Sequence, residues 1–218
     1  MNASAEEDRV VTAPLPPLPP VIGDEWGDEP TGRNMIDILV DEHHQIRMLC
    51  VDLADLAGPP ARRTRVADVL TASLTRHLSA EEQYLYPTVR RVLPDGAPLA
   101  DHEIVADDAL LRTLRRLGAA RPGDDGYERL VNTLSTQVAR HIDEASRRIF
   151  PRLRARCPES DLVRLGNRIE VAAEAAPTRP HPSTPQKPPW NKLVSPGLGV
   201  LDKVRDLLSG RRTYPEDL

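Results

Sequence analysis

Between two proline-rich ends, apolar residues recur at spacings of three and four along four long stretches, the periodicity of helices that each bury one face. The first helix is predicted from about Asn34, a residue type suited to N-capping, to about Ala57, where Gly58, Pro59 and Pro60 stop it. Its apolar seam is Ile36, Leu39, His43, Ile46, Cys50, Leu53 and Ala57. A second helix is predicted from about Arg62 to Leu93, with an inward stripe of Val66, Leu70, Leu74, His77, Glu81 and Tyr84. Pro94, Asp95 and Gly96 end it. The third spans about Pro98 to Ala120, the turn-rich run from Arg121 to Gly126 reverses the chain, and the fourth covers about Tyr127 to Ala155. Short links between long amphipathic helices point to an all-α, up-down-up-down four-helix bundle.

The stretch from His77 to Pro87 lines up without gaps on that from His141 to Pro151, so the second and fourth helices carry the same element and the bundle reads as a duplicated helical hairpin. This organisation divides the chain into a disordered, proline-rich segment (1–32), the bundle (33–156) and a short helical extension (157–176). A second proline-rich linker (177–197) and a tail (198–218) complete the chain, the tail beginning with an amphipathic stretch carrying Val200, Leu201, Val204, Leu207 and Leu208. That tail helix offers a surface for the bundle or for a protein partner.

Composition narrows the function classes. Lys and Arg number 29 against 33 Asp and Glu, so there is no global basic field to draw the chain to nucleic acid. Aromatics are only 3%, which leaves Leu, Val, Ile and Ala to fill a core of packed helices. Cys50 and Cys157 match no zinc or disulfide spacing, as expected of a reducing compartment. The acidic start lacks the pattern of a signal peptide, and no apolar run is long enough to span a membrane, so a cytoplasmic location without membrane association is expected.

Candidate chemistry sits on the seams. Residues four apart on a helix stand one above the other, so His77 and Glu81 can reach one metal ion together, with His43 on the facing seam of the first helix. A histidine on an apolar stripe is ordinarily a core residue with a hydrogen-bond partner. Glutamate, by contrast, is almost never buried unpaired, and Glu81 beside two histidines shifts the balance toward a ligand set.

Glu42-His43 followed by Ile46, then His77 with Glu81-Glu82 and Tyr86-Pro87, then His141 with Phe150-Pro151, together resemble the hemerythrin-like HHE cation-binding family over about Arg33 to Ala155. The resemblance implies an up-down bundle around a non-haem di-iron centre, associated with oxygen, nitric oxide or peroxide handling and iron homeostasis. It assigns His43, His77, Glu81 and His141 to the metal. The second half departs from the family's pattern, for Ala145 stands where the first copy has Glu81. The repeat spacing points to Ala106 or Asp107 for the third-helix ligand, and His102 lies about 6 Å further along the axis. His102 has either taken over the lost ligand's place by a shift of one turn or is an ordinary histidine near the helix start. Asp107 and Asp108 read as solvated surface acids.

With one carboxylate missing, a second ion would be held weakly, and a mononuclear site for Fe, Mn, Zn or Co is favoured. The leading reading is therefore a metal-binding protein that senses or buffers metal, oxygen or reactive species. A metal-free bundle serving as an interaction module is the alternative. An enzyme is the weakest option, given the reduced ligand set.

Overall fold

The computed structural model describes residues 29–55, 57, 59–175, 178 and 213–215. They form α1 (Met35–Ala54), then α2 (Pro60–Ala80) running through a π-helical turn π1 (Glu81–Leu85) into α3 (Tyr86–Val92). After α4 (Gly96–Ala119), α5 (Tyr127–Glu144) runs through a second π turn, π2 (Ala145–Ile149), into α6 (Phe150–Arg156), with α7 (Glu159–Ala175) last. The expected all-helical bundle with a short extra helix is therefore present. The amphipathic stretch expected at 198–209 lies outside the described residues. None of the described helices is long and apolar enough to cross a membrane.

Asn34 caps α1 as expected: its side chain accepts from the Asp37 N–H at 2.9 Å, and its Nδ2 donates to Glu159 at 2.8 Å, tying the start of α1 to the start of α7. At the other end, α1 stops before the expected Ala57. Asp55 turns extended and its carboxylate accepts from the Ala57 N–H at 3.0 Å, a local bond that competes with helix just ahead of Pro59 and Pro60. Arg63 then binds the Leu53 carbonyl at 3.2 Å through Nη2, pairs with Glu128 at 2.7 and 2.9 Å, and lies over the Tyr127 ring. This one side chain joins the ends of α1, α2 and α5.

The duplication extends to the first and third helices. At the separation of 64 residues that relates His77 to His141, Ile36 corresponds to Ala100, Ile46 to Leu110, Cys50 to Leu114 and Leu53 to Leu117, all buried. The core is split into two apolar clusters. One contains Leu39, Ala80, Tyr84, Leu85, Ala145 and Phe150, and the other Ile46, Leu74, Leu110, Val138 and Ile142. His43, His77 and His141 each fall in sequence between members of the two, so a polar layer crosses the bundle there.

α7 is seated by a glycine. A Cβ on Gly166 would stand 2.1 Å from the Arg33 carbonyl oxygen and 3.0 Å from the Met35 nitrogen, both rigid backbone. Gly166→Ala is expected to destabilise the fold by about 1–3 kcal/mol, the cost of overpacking, read as a lower denaturation midpoint at unchanged slope. An unchanged midpoint would show that α7 does not hold the start of α1.

Candidate metal centre

The two π turns decide which side chains meet in the polar layer. Each inserts one extra residue per turn, so the Tyr86 N–H bonds back to the Glu81 carbonyl and the Phe150 N–H to the Ala145 carbonyl, five residues apart. Pro87 and Pro151 come directly after, and the widened turn relieves the clash and missing donor that a proline brings to a helix interior. A residue five positions after Glu81 thereby returns to its face. Tyr84, on the inward stripe and expected to serve chiefly in packing, does pack in the apolar cluster, and Tyr86 is the tyrosine that reaches Glu81, with its hydroxyl 3.2 Å from Oε2.

Four of the expected residues converge. The Nε2 atom of His141 lies 3.3 Å from that of His43 and 3.4 Å from that of His77. Glu81 Oε1 is 3.4 Å from His77 Nε2 and 3.8 Å from His43 Nε2, and its Oε2 is 3.3 Å from His141 Nε2. One donor atom from each of the four lies within 4.8 Å of the others, and all four residues are buried. Donors about 2.1 Å from a tetrahedral ion are about 3.4 Å from each other, so the spacing suits a single ion bound by three imidazoles and one carboxylate. Glu81 Oε1 is buried and has no hydrogen-bond partner among the described residues, as a ligand oxygen would be without its ion.

The outer ring nitrogens are held in turn. His77 Nδ1 is 2.7 Å from Glu42 Oε2. His141 Nδ1 is 3.1 Å from Asp107 Oδ1, at an angle that leaves both atoms short of a full hydrogen bond, while Asp107 Oδ2 accepts from the Tyr86 hydroxyl at 2.5 Å. His43 is positioned by packing, its ring stacked on Phe150 at 5.6 Å. Carboxylates on the outer nitrogens fix which nitrogen faces the metal and raise its basicity. Glu42→Gln is accordingly expected to weaken metal binding 10–100-fold, measured by competition with a chromogenic chelator. An affinity equal to that of the unaltered chain would mean that His77 needs no such support.

The electrostatics arise from burial in a crowded layer. Burial pushes the His77 imidazole down, but Glu81 and Glu42 outweigh it and hold it at about 10. His141 is raised likewise: burial works against it, and Glu81 and Asp107 prevail. His43 has no such rescue, and burial with His77 beside it keeps it well below 6.5. Burial would raise Glu81, yet His141 and His77 bring it down to about 2. Burial and the neighbouring Asp107 push Glu82 up to about 8 and Glu103 up to about 7.

His102, the fifth expected ligand, stands apart. Its side chain is 65% exposed on α4 and its Nε2 is 3.9 Å from Glu103. The repeat position is taken instead by Asp107, which is buried and not a solvated surface acid. Glu42 and Tyr86 figure in the sequence only as parts of the family's motif, without a role assigned to them, and Glu103 was not singled out. Glu42 adjoins a ligand, and Pro87 was the signal for the register change that brings in Tyr86, whereas no sequence signal marked Glu103.

The model of the hemerythrin HHE cation binding domain matches residues 34–153 of the chain. An uncharacterized hemerythrin-like protein of Schizosaccharomyces pombe is 24% identical over 146 residues, which cover 66% of this chain and 72% of that protein. A DNA nickase of a Nostoc species is 24% identical over 130 residues, 59% of this chain but 36% of the nickase, so the chain spans about a third of it. A hemerythrin HHE cation binding domain-containing protein from Mycobacterium kansasii has a crystal structure that is similar in fold. The TM-score is 0.57 at 21% identity, covering 66% of this chain and 86% of that one.

Proposed function

Since the chain belongs to the hemerythrin HHE cation binding domain family, we propose that it holds one non-haem iron or similar ion on His43, His77, Glu81 and His141 and serves in the cytoplasm to sense or buffer metal, oxygen or reactive species. The observation that carries this reading is the convergence of three Nε2 atoms and a buried, unpartnered Glu81 oxygen at spacings suited to one ion. Bound iron would supply an open coordination position for a small ligand such as O2, NO or peroxide.

The protein's own part is shielding and orientation. Two apolar clusters flank the layer and would shield a bound ion from bulk solvent. Glu42 and Asp107 orient two imidazoles, and Tyr86 stays protonated, because burial and Asp107 hold its hydroxyl well above 10. One hydroxyl proton thus faces two carboxylates; the shorter contact, to Asp107, takes it and leaves the Glu81 lone pairs for the ion.

The test is elemental analysis by mass spectrometry of the full chain purified without chelator or affinity tag. About one transition-metal ion per chain is expected. No metal, even after anaerobic Fe(II) loading, would overturn the proposal in favour of a metal-free interaction module.

A further inference from the structure

The outward face of α2 is covered where the same face of its repeat is bare. Opposite the inner stripe of Leu70, Leu74, His77 and Glu81, α2 and π1 carry Asp68, Ala72, Arg76, Ser79 and Gln83, three or four residues apart. A bundle helix ordinarily leaves such a face to water. Here Ala72 is wholly buried, Arg76 and Gln83 are 9% and 8% exposed, and Asp68 and Ser79 are half-buried. The counterparts 64 residues on, Asn132, Thr136, Arg140, Asp143 and Arg147, are all exposed. These α2 side chains point away from the bundle core and most are polar, so they are buried by chain from outside the four-helix core, which covers α2 and leaves α5 open.

Among the described residues, two parts of that cover are placed. α7 packs against α2 and π1 and, through Gly166, against the start of α1, which puts it toward the Gln83 end. One and a half turns back, Arg76 Nη2 donates to the Thr213 carbonyl at 2.8 Å, and the guanidinium lies 4.6 Å from the centre of the Tyr214 ring. Thr213 is itself buried. The far end of the chain is therefore clasped on the outer face of α2. Ala72 and Asp68 lie one and two turns beyond the clasp, roughly 6 and 12 Å along the axis.

The sequence supplies an occupant of suitable size and pattern. Val200, Leu201, Val204, Leu207 and Leu208 share one apolar face, with Asp202, Lys203, Arg205 and Asp206 opposite, and as a helix the stretch 198–209 is about 18 Å long. Ser209 precedes Thr213 by four residues, so even a fully extended link keeps it within about 14 Å of the clasp.

We propose that residues 198–209 dock as a helix along the outward face of α2, over Ala72 and Asp68, pinned at Arg76 by Thr213 and Tyr214. The tail then belongs to this chain's own bundle and is not held out for another protein. The inference stands on α2 and the tail alone, and the fate of the metal site does not decide it.

The test places one cysteine on each of the paired faces of the full-length chain, Ala72→Cys on α2 and Thr136→Cys on α5, and follows labelling by a bulky maleimide, with the buried Cys50 and Cys157 of the unaltered chain as background. Ala72→Cys is expected to react at least about tenfold more slowly than Thr136→Cys, because it is reached only when the cover opens. Adding Val204→Asp and Leu207→Asp, which spoil the apolar face of the tail, is expected to abolish most of that difference while circular dichroism melts show the bundle intact. Should Ala72→Cys not fold, Asp68→Cys against Asn132→Cys makes the same comparison. Equal rates for the paired cysteines, or protection that survives the tail substitutions, overturns the proposal. Protection lost on dilution overturns it as well, since the cover would then be a second copy of the chain.

Discussion

Glu81→Gln is expected to lose the ion, with an affinity at least about a hundredfold weaker, beyond the 10–100-fold cost of disturbing a supporting carboxylate. Among the described residues Glu81 is the one carboxylate within 4 Å of all three Nε2 atoms, and it is wholly buried. The amide keeps the shape but removes the charge, and charge is what joins three neutral imidazoles to a divalent ion in a buried site. A second effect should appear without metal. At pH 6 His77 and His141 carry protons, and Glu81 is the buried anion between them. Taking one partner from a buried ion pair costs about 3–5 kcal/mol, so the metal-free variant should melt on the order of 10 °C lower. Metal content by mass spectrometry and thermal melts with and without iron test both claims. A variant that kept its metal would place the carboxylate outside the coordination sphere, and equal melting of the two metal-free chains would mean that the histidines are not protonated.

Much of the site was legible in the sequence because duplication and periodicity act together. Proline and turn residues mark the helix boundaries, and the spacing of three and four puts His43, His77 and Glu81 on buried faces with no knowledge of the partner helix. His141 came through the repeat. What stayed hidden depends on register and on pairing across the bundle. A regular α-helix carries Tyr84 to the Glu81 face; the π turn carries Tyr86 there instead, and Pro87 was the trace of it. The repeat spacing points to Ala106 or Asp107, yet Asp107 reads as a surface acid because charged residues usually are, and its contacts with Tyr86 and His141 decide for the inward position. His102, which the sequence leaves open between a shifted ligand and an ordinary histidine near the helix start, sits on an outward face, as the second alternative has it.

The second half-site has exchanged its polar groups, not merely shed them. Glu42, Glu81 and Tyr86 correspond to Ala106, Ala145 and Phe150, so the second copy has lost three polar groups, and Phe150 now serves the site by stacking on His43. Glu103 and Asp107 are the gain. The first copy thus supplies most of the nitrogen-rich site, and the second lends it His141 while building a carboxylate pair of its own.

Metal uptake is expected to release protons and to tighten with pH, because two of the three imidazoles hold protons that an ion must displace. His77 is held at about 10 and His141 is raised above 6.5, so below pH 6.5 about two protons should leave per ion bound, and at higher pH at least the one from His77 until it titrates in turn. Apparent affinity should then climb by up to roughly a hundredfold per pH unit, and more slowly once His141 has titrated. The metal-free fold should respond in the opposite sense. A histidine with a raised pKa contributes its full stability below its unfolded value of 6.5 and loses it as pH rises through the folded one, which for His77 is about 10. Glu82 and Glu103, raised to about 8 and 7, favour the fold less as pH rises from 4.5 through those values, so they act in the same direction. Glu81, lowered to about 2, contributes above its ordinary 4.5 and loses its part only as pH falls through 2, well outside this range. His43 acts only below 6.5, where its lowered pKa costs stability as pH falls. Between pH 6.5 and 10 the metal-free chain should therefore melt progressively lower, while the metal-loaded chain gains from tighter binding and the gap between their melting temperatures widens. Calorimetric titrations in buffers of different ionisation enthalpy count the protons, and paired melts across that range measure the gap. Uptake without proton release, together with a metal-free melting temperature that stays level or rises above pH 6.5, would mean that the histidine layer is neutral before the ion arrives and that Glu81 and Glu42 are balanced by something other than imidazolium.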